Sequence, residues 1–194
     1  MRVWERHSAF AVPFVILGAG LRRGAEAIRL LYWRRAFGWE IGRNVRVHFT
    51  VHIPRKMRVS LGDGVGIGKG TEVWSEIPGA VFALGANTNI ARNCMLDASG
   101  GLSIGANVTV SEEAAIYTHS HGRNPRSKPA YHPLSIEDDV WICTRAIVLA
   151  SVRTIGARAI IGPYAVVRKP VPEGSLIVRG ESETQPCLRL EARK

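Results

Sequence analysis

Aliphatic residues return at every sixth position through most of this chain, in six successive triplets. They are Ile41, Val47 and Ile53; Leu61, Ile67 and Val73; Leu84, Ile90 and Leu96; Ile104, Val110 and Ile116; Ile136, Ile142 and Val148; Ile155, Ile161 and Val167. Glycine follows the first member in five of the six (Gly42, Gly62, Gly85, Gly105, Gly156), Glu137 being the exception. A period of six is neither the helical 3.6 nor a plain strand alternation of two. It predicts an all-β solenoid in which three short strands and three tight turns make one coil, each aliphatic pointing inward onto its equivalent in the next coil. Asn44, Asn87 and Asn107 stand where the corners need unusual backbone angles.

The register also locates the insertions. Between Ile116 and Ile136 it is interrupted for twenty residues, against seven to eleven elsewhere. In a solenoid, extra chain projects as a loop from one edge, where function tends to sit. This loop, residues 117–135, carries His119, His121 and His132 and the basic residues Arg123, Arg126 and Lys128. The coils are expected over residues 41–175, with a helical segment over 1–40 and a tail over 176–194.

Outside the repeat, residues 8–37 read as one or two helices. Ile28, Leu31 and Tyr32 share helical spacing, with arginines opposite. Two roles fit: packing on the main domain, or a basic amphipathic surface resting on an anionic membrane. The apolar run Ala9 to Leu21 is too short for a membrane span, which needs roughly 20 residues. Net charge is +10, which suits an anionic partner, but no nucleic-acid-binding signature accompanies it. Three scattered cysteines, Cys94, Cys143 and Cys187, form no disulfide framework and fit a reducing, cytoplasmic compartment.

The triplets, together with THSH at 118–121 and PLSIEDDVWI at 133–142, resemble the hexapeptide-repeat acyltransferases, among them the galactoside, maltose, nodulation and capsule O-acetyltransferases. The resemblance implies a left-handed parallel β-helix of about six coils, a homotrimer with sites between subunits, acetyl-CoA as donor and a hydroxyl or amine of a saccharide-type molecule as acceptor. No metal is expected. The family's catalytic histidine, the general base, falls on His121. His119 stands where relatives often carry a small or polar residue, and with Asn93 and Trp141 it would face the acceptor. Trp141, Thr144, Pro163 and Arg168 fall where relatives hold the CoA arm and phosphates. Relatives usually have glycine where Cys143 stands.

Acyl transfer from a thioester to a hydroxyl needs a base for the hydroxyl proton, a task for a neutral imidazole. A second group must hold its tautomer: Glu112, Glu113 or a backbone carbonyl. Two other functions are open. His119, His121 and His132 could form a zinc site of the β-helix carbonic-anhydrase type, or the basic loop could make the protein a non-catalytic scaffold for an acidic partner.

Overall fold

The computed structural model describes residues 12–178 and 185–186, with side chains over 23–178. The chain divides into two units, residues 1–38 and 39–194. Among its described residues the first has one helix, α1 (Val12–Phe37), rather than two, and residues 8–11 of the expected helical segment lie outside the described residues. Pro13 is its second residue, where a missing N–H breaks no intrahelical bond, and Gly38 ends it in the left-handed region at φ 67°. Ile28, Leu31 and Tyr32 are exposed, at 71%, 54% and 53%. Among the described residues no helix is long and apolar enough to cross a membrane.

The second unit is a parallel β-solenoid of about seven turns, matching a left-handed β-helix. Its first face stacks Ile41, Leu61, Leu84, Ile104, Ile136 and Ile155 in parallel register. The second stacks Val47, Ile67, Ile90, Val110, Ile142 and Ile161. The third stacks Val73, Leu96, Ile116, Val148 and Val167, and Ile53 continues it beside the His52–Glu72 bridge. All eighteen repeat aliphatics are buried. A seventh turn adds Val171 and Ile177, paired with Ile155 and Ile161. It is short of a full triplet, and Pro172 stands where glycine usually follows.

Each hexapeptide of the first two faces supplies a second inward residue, four places after the first. Val45, Val65, Thr88, Val108, Val140 and Ala159 fill the first corner, and Val51, Thr71, Cys94, Ala114, Ala146 and Ala165 the second. The buried threonines are satisfied: Thr71 Oγ1 donates to the Ala91 carbonyl (2.7 Å) and Thr88 Oγ1 to that of Gly105 (2.6 Å). One place before this residue, the chain turns through left-handed backbone. At the first corner Asn44, Gly64, Asn87, Asn107, Asp139, Arg158 and Gly174 have φ between 55° and 73°. At the second corner Gly70, Asn93, Glu113, Arg145 and Tyr164 do the same. The glycine after the first aliphatic has a different cause, close stacking. A Cβ on Gly85 would lie 2.5 Å from the Ala106 nitrogen in the coil above.

The third corner is irregular, and the inserted loop leaves from it. His119–Ser120 pairs antiparallel with Ala130–Tyr131, after which the chain rejoins the first face with Leu134 opposite Leu102. At the last coil, Gln185–Pro186 pairs antiparallel along Ser175–Leu176 and covers that strand's edge.

Candidate functional site

At the third corner, three successive coils contribute to one cluster. Asp97 follows the inward Leu96 and is fully buried. Its Oδ1 accepts the Ser99 N–H (2.8 Å). Its Oδ2 accepts the N–H groups of Thr118 (2.7 Å) and His119 (3.0 Å) and His119 Nδ1–H (2.7 Å). The Thr118 hydroxyl lies 3.1 Å from the same oxygen and 3.0 Å from the Asp97 carbonyl, and it accepts the Gly100 N–H (2.8 Å). Burial pushes the Asp97 pKa up, but hydrogen bonds from Ser99, His119 and Thr118 outweigh it and hold the carboxyl below its ordinary value. An ionised carboxylate only accepts, so His119 carries a proton on Nδ1, and the neutral ring is the tautomer with its lone pair on Nε2.

His121 is tied down in the same sense by a different group. Its Nδ1 lies 2.9 Å from the Ser127 carbonyl, which also can only accept, so the neutral ring again has its lone pair on Nε2. Of the three orienting groups open from sequence, the backbone carbonyl fills the role. Glu113 instead pairs with Arg145 (2.7 Å), and Glu112 lies 4.0 Å from Arg92. The loop holds the carbonyl in place through its own turn: Ser127 Oγ lies 2.6 Å from the His121 carbonyl and 2.8 Å from that of Asn124, to either of which it can donate.

The two imidazoles stand edge to face with centroids 5.5 Å apart. Trp74 packs edge-on against His119 at 5.1 Å, and Tyr131 lies 6.3 Å away on its other contact. Tyr131 OH donates to Glu76 Oε2 (2.8 Å). That bond, with burial, raises the phenol pKa and keeps it a neutral donor. Sequence reading missed Asp97, Glu76, Trp74 and Tyr131. The signal for Asp97 was the register itself: Leu96 stacks under Ile116, so the residue after Leu96 must lie beneath the start of the histidine loop.

The remaining predicted residues lie elsewhere on the solenoid. Asn93 is an exposed left-handed residue of the second corner (φ 56°). Thr144 and Pro163 occupy that same corner in the next coils, where the Thr144 carbonyl accepts the Tyr164 N–H (3.1 Å). Trp141 points outward from the second face, 49% exposed, its Nε1–H donating to Ser111 Oγ (3.0 Å). Arg168 is exposed just past Val167. His132 closes the loop through its backbone, donating to the Thr118 carbonyl (2.7 Å). The histidine pair of the sequence reading is therefore brought together, while Trp141, Thr144 and Pro163 lie on a separate face and edge and Arg168 follows the third face, as Asp97 does, in a later coil. Cys94 and Cys143 are buried free thiols. Burial pushes Cys94 up to about 11 and also raises Cys143, which disfavours the reactive thiolate of both at neutral pH.

No protein-family model matches the chain. A curated protein of Schizosaccharomyces pombe, "Putative acetyltransferase C18B11.09c", is 30% identical over 124 residues, 59% of this chain and 58% of that protein. The match thus spans little more than half of that relative's length. Among solved structures, the hexapeptide-repeat acetyltransferase VCA0836 of Vibrio cholerae superposes with a TM-score of 0.54 at 26% identity, covering 79% of this chain and 80% of its own. A second structure of VCA0836, from Vibrio cholerae O1 biovar eltor and complexed with acetyl-CoA, superposes with a TM-score of 0.51 at 24% identity, over 79% and 76%. This chain is similar to the hexapeptide-repeat acetyltransferases in both sequence and fold, as the triplets and the THSH motif imply.

Proposed function

We propose that the protein is an acetyltransferase that moves the acetyl group of acetyl-CoA to a hydroxyl of a saccharide-type acceptor, with His121 as general base. The observation that carries this reading is the His121 ring. It stands at the root of the inserted loop, its Nδ1–H anchored on a rigid carbonyl and its Nε2 lone pair free to take a hydroxyl proton. The acetyl-CoA bound to VCA0836 supports the choice of donor. Removal of the hydroxyl proton by Nε2 accompanies attack of the oxygen on the thioester carbonyl. Collapse then expels the CoA thiolate, which takes the proton back. With both buried thiols held protonated, direct transfer without a covalent enzyme intermediate is the consistent route.

The His119 ring, fixed by Asp97, lies where it would accept a hydrogen bond from the acceptor and orient it. Trp141, Thr144, Pro163 and Arg168 would receive the CoA arm, and Asn93 would meet the acceptor. Because Asn93, Thr144 and Pro163 lie at a different corner of the chain from the histidines, a homotrimer in which one subunit's second corner meets its neighbour's loop would complete the site. Exposed Ile28, Leu31 and Tyr32 on the arginine-bearing α1 suit peripheral contact with an anionic membrane, and the free thiols suit the cytoplasm.

The test mixes purified protein with acetyl-CoA and a panel of saccharides and follows release of free thiol. Acceptor-dependent release that His121→Ala abolishes supports the reading; full turnover in that variant refutes the base assignment. Acetyl-CoA should also raise the melting temperature, since a ligand of the folded state alone must do so.

A further inference from the structure

We infer that the third corner is also a divalent-metal site, built for zinc by Glu76, His119 and His121, and that metal there silences the proposed base. One ligand atom from each of these three residues lies within 4.8 Å of the other two. The donor set, two imidazoles and a carboxylate, suits zinc and not the oxygen-seeking magnesium or calcium. Three protein ligands leave a fourth position for water or substrate.

Three observations beyond proximity support the assignment. First, each histidine has its Nδ1 engaged, by the buried Asp97 carboxylate in one case and the Ser127 carbonyl in the other. Metal-bound histidines characteristically show this outer partnership, which fixes the tautomer and makes the opposite nitrogen a better donor. Second, Glu76 is held near the rings by Tyr131 OH, and its exposure leaves it free to close the last distance to the roughly 2.0–2.2 Å of a zinc bond. Third, a chain of net charge +10 gathers two carboxylates, those of Glu76 and Asp97, at this one point, enough to balance a dication. His132, included in the three-histidine site considered from sequence, has its place taken by Glu76.

Metal and mechanism compete for the same electrons. An Nε2 lone pair that coordinates zinc cannot accept a hydroxyl proton, so occupancy removes the base. That second half rests on the acetyltransferase reading; the binding itself does not.

The experiment dialyses the full-length protein against zinc chloride and then against buffer, measures retained metal by elemental analysis, and titrates zinc calorimetrically. The expected result is one zinc per chain, lost in His119→Ala and weakened at least tenfold in Glu76→Gln, an exposed substitution that leaves the core untouched. Asp97→Asn should weaken binding about 10- to 100-fold through the outer partner, with circular dichroism confirming the fold. No retained zinc, or equal retention in His119→Ala and Glu76→Gln, overturns the site. Under the thiol-release assay, free zinc should abolish turnover and a chelator restore it, with magnesium inert; undiminished turnover of the zinc-loaded protein overturns the competition. Zinc binding without any acetyl transfer would leave the site standing and remove only the enzymatic reading.

Discussion

The second and third corners of the solenoid solve the same turning problem with opposite chemistry. At the second, left-handed residues face water, and the charges pair in solvent, as Arg145 does with Glu113 (2.7 Å) while also donating to the Tyr164 hydroxyl (3.0 Å). At the third, Asp97 is driven into the core and surrounded by donors from two coils. An ion pair in water contributes little because solvent offers each partner nearly as much. A buried carboxylate has no such fallback, and its donors lose their only acceptor if it goes. The regular corner therefore tolerates change, and the irregular one commits its residues to a fixed geometry.

The largest effect should come from His121→Ala, which is expected to lower turnover about 10²- to 10⁴-fold, the usual worth of a positioned base, with the melting temperature nearly unchanged. Thiol-release kinetics and a thermal melt check both halves. Asp97→Ala should reduce unfolding free energy by about 3 kcal/mol, because several buried donors are stranded at about 1–3 kcal/mol each, and chemical denaturation measures it. The sign of its pH dependence follows from the depressed carboxyl pKa. The stabilisation is present above the unfolded value near 3.9 and is lost as pH falls through the lower folded one. The gap in stability between wild type and Asp97→Asn should therefore close in strong acid and stay open at neutral pH.

A smaller effect, about 1 kcal/mol, is expected from Asn93→Ala, which puts a Cβ-bearing residue without a turn-forming side chain into left-handed backbone. Asn93→Gly should keep stability, so a raised acceptor KM in that variant would separate binding from turning. Smallest of all, Arg145→Ala should leave the melting temperature unmoved. A large loss there would break the contrast between the two corners.

How much of this could be read in advance follows the same division. The faces were legible because Ile41 through Val167 repeat a local rule, and each coil obeys it independently. The second inward position, Val45 to Ala165, went unread because valine, threonine, cysteine and alanine share size rather than hydropathy. His119 and His121 were legible as a motif. Their partners were not: Asp97, Glu76 and Trp74 come from earlier coils, and only stacking, which is spatial, brings them to the histidines. Trp141 on its outward face and Thr144 and Pro163 at the second corner show the converse, a motif legible in sequence whose residues a single chain does not gather at one point.

The antiparallel clasp of His119–Ser120 against Ala130–Tyr131 closes the excursion between its strands off from the stack. The chain leaves and re-enters the stack at one point, so Leu134 meets Leu102 whatever lies between. Lengthening a closed loop is cheap, about 0.6 kcal/mol for each doubling. Such a frame can exchange the exposed Arg123 and Arg126 for side chains of different size and charge, and so change what it recognises, while the Ser127 carbonyl keeps the base aligned.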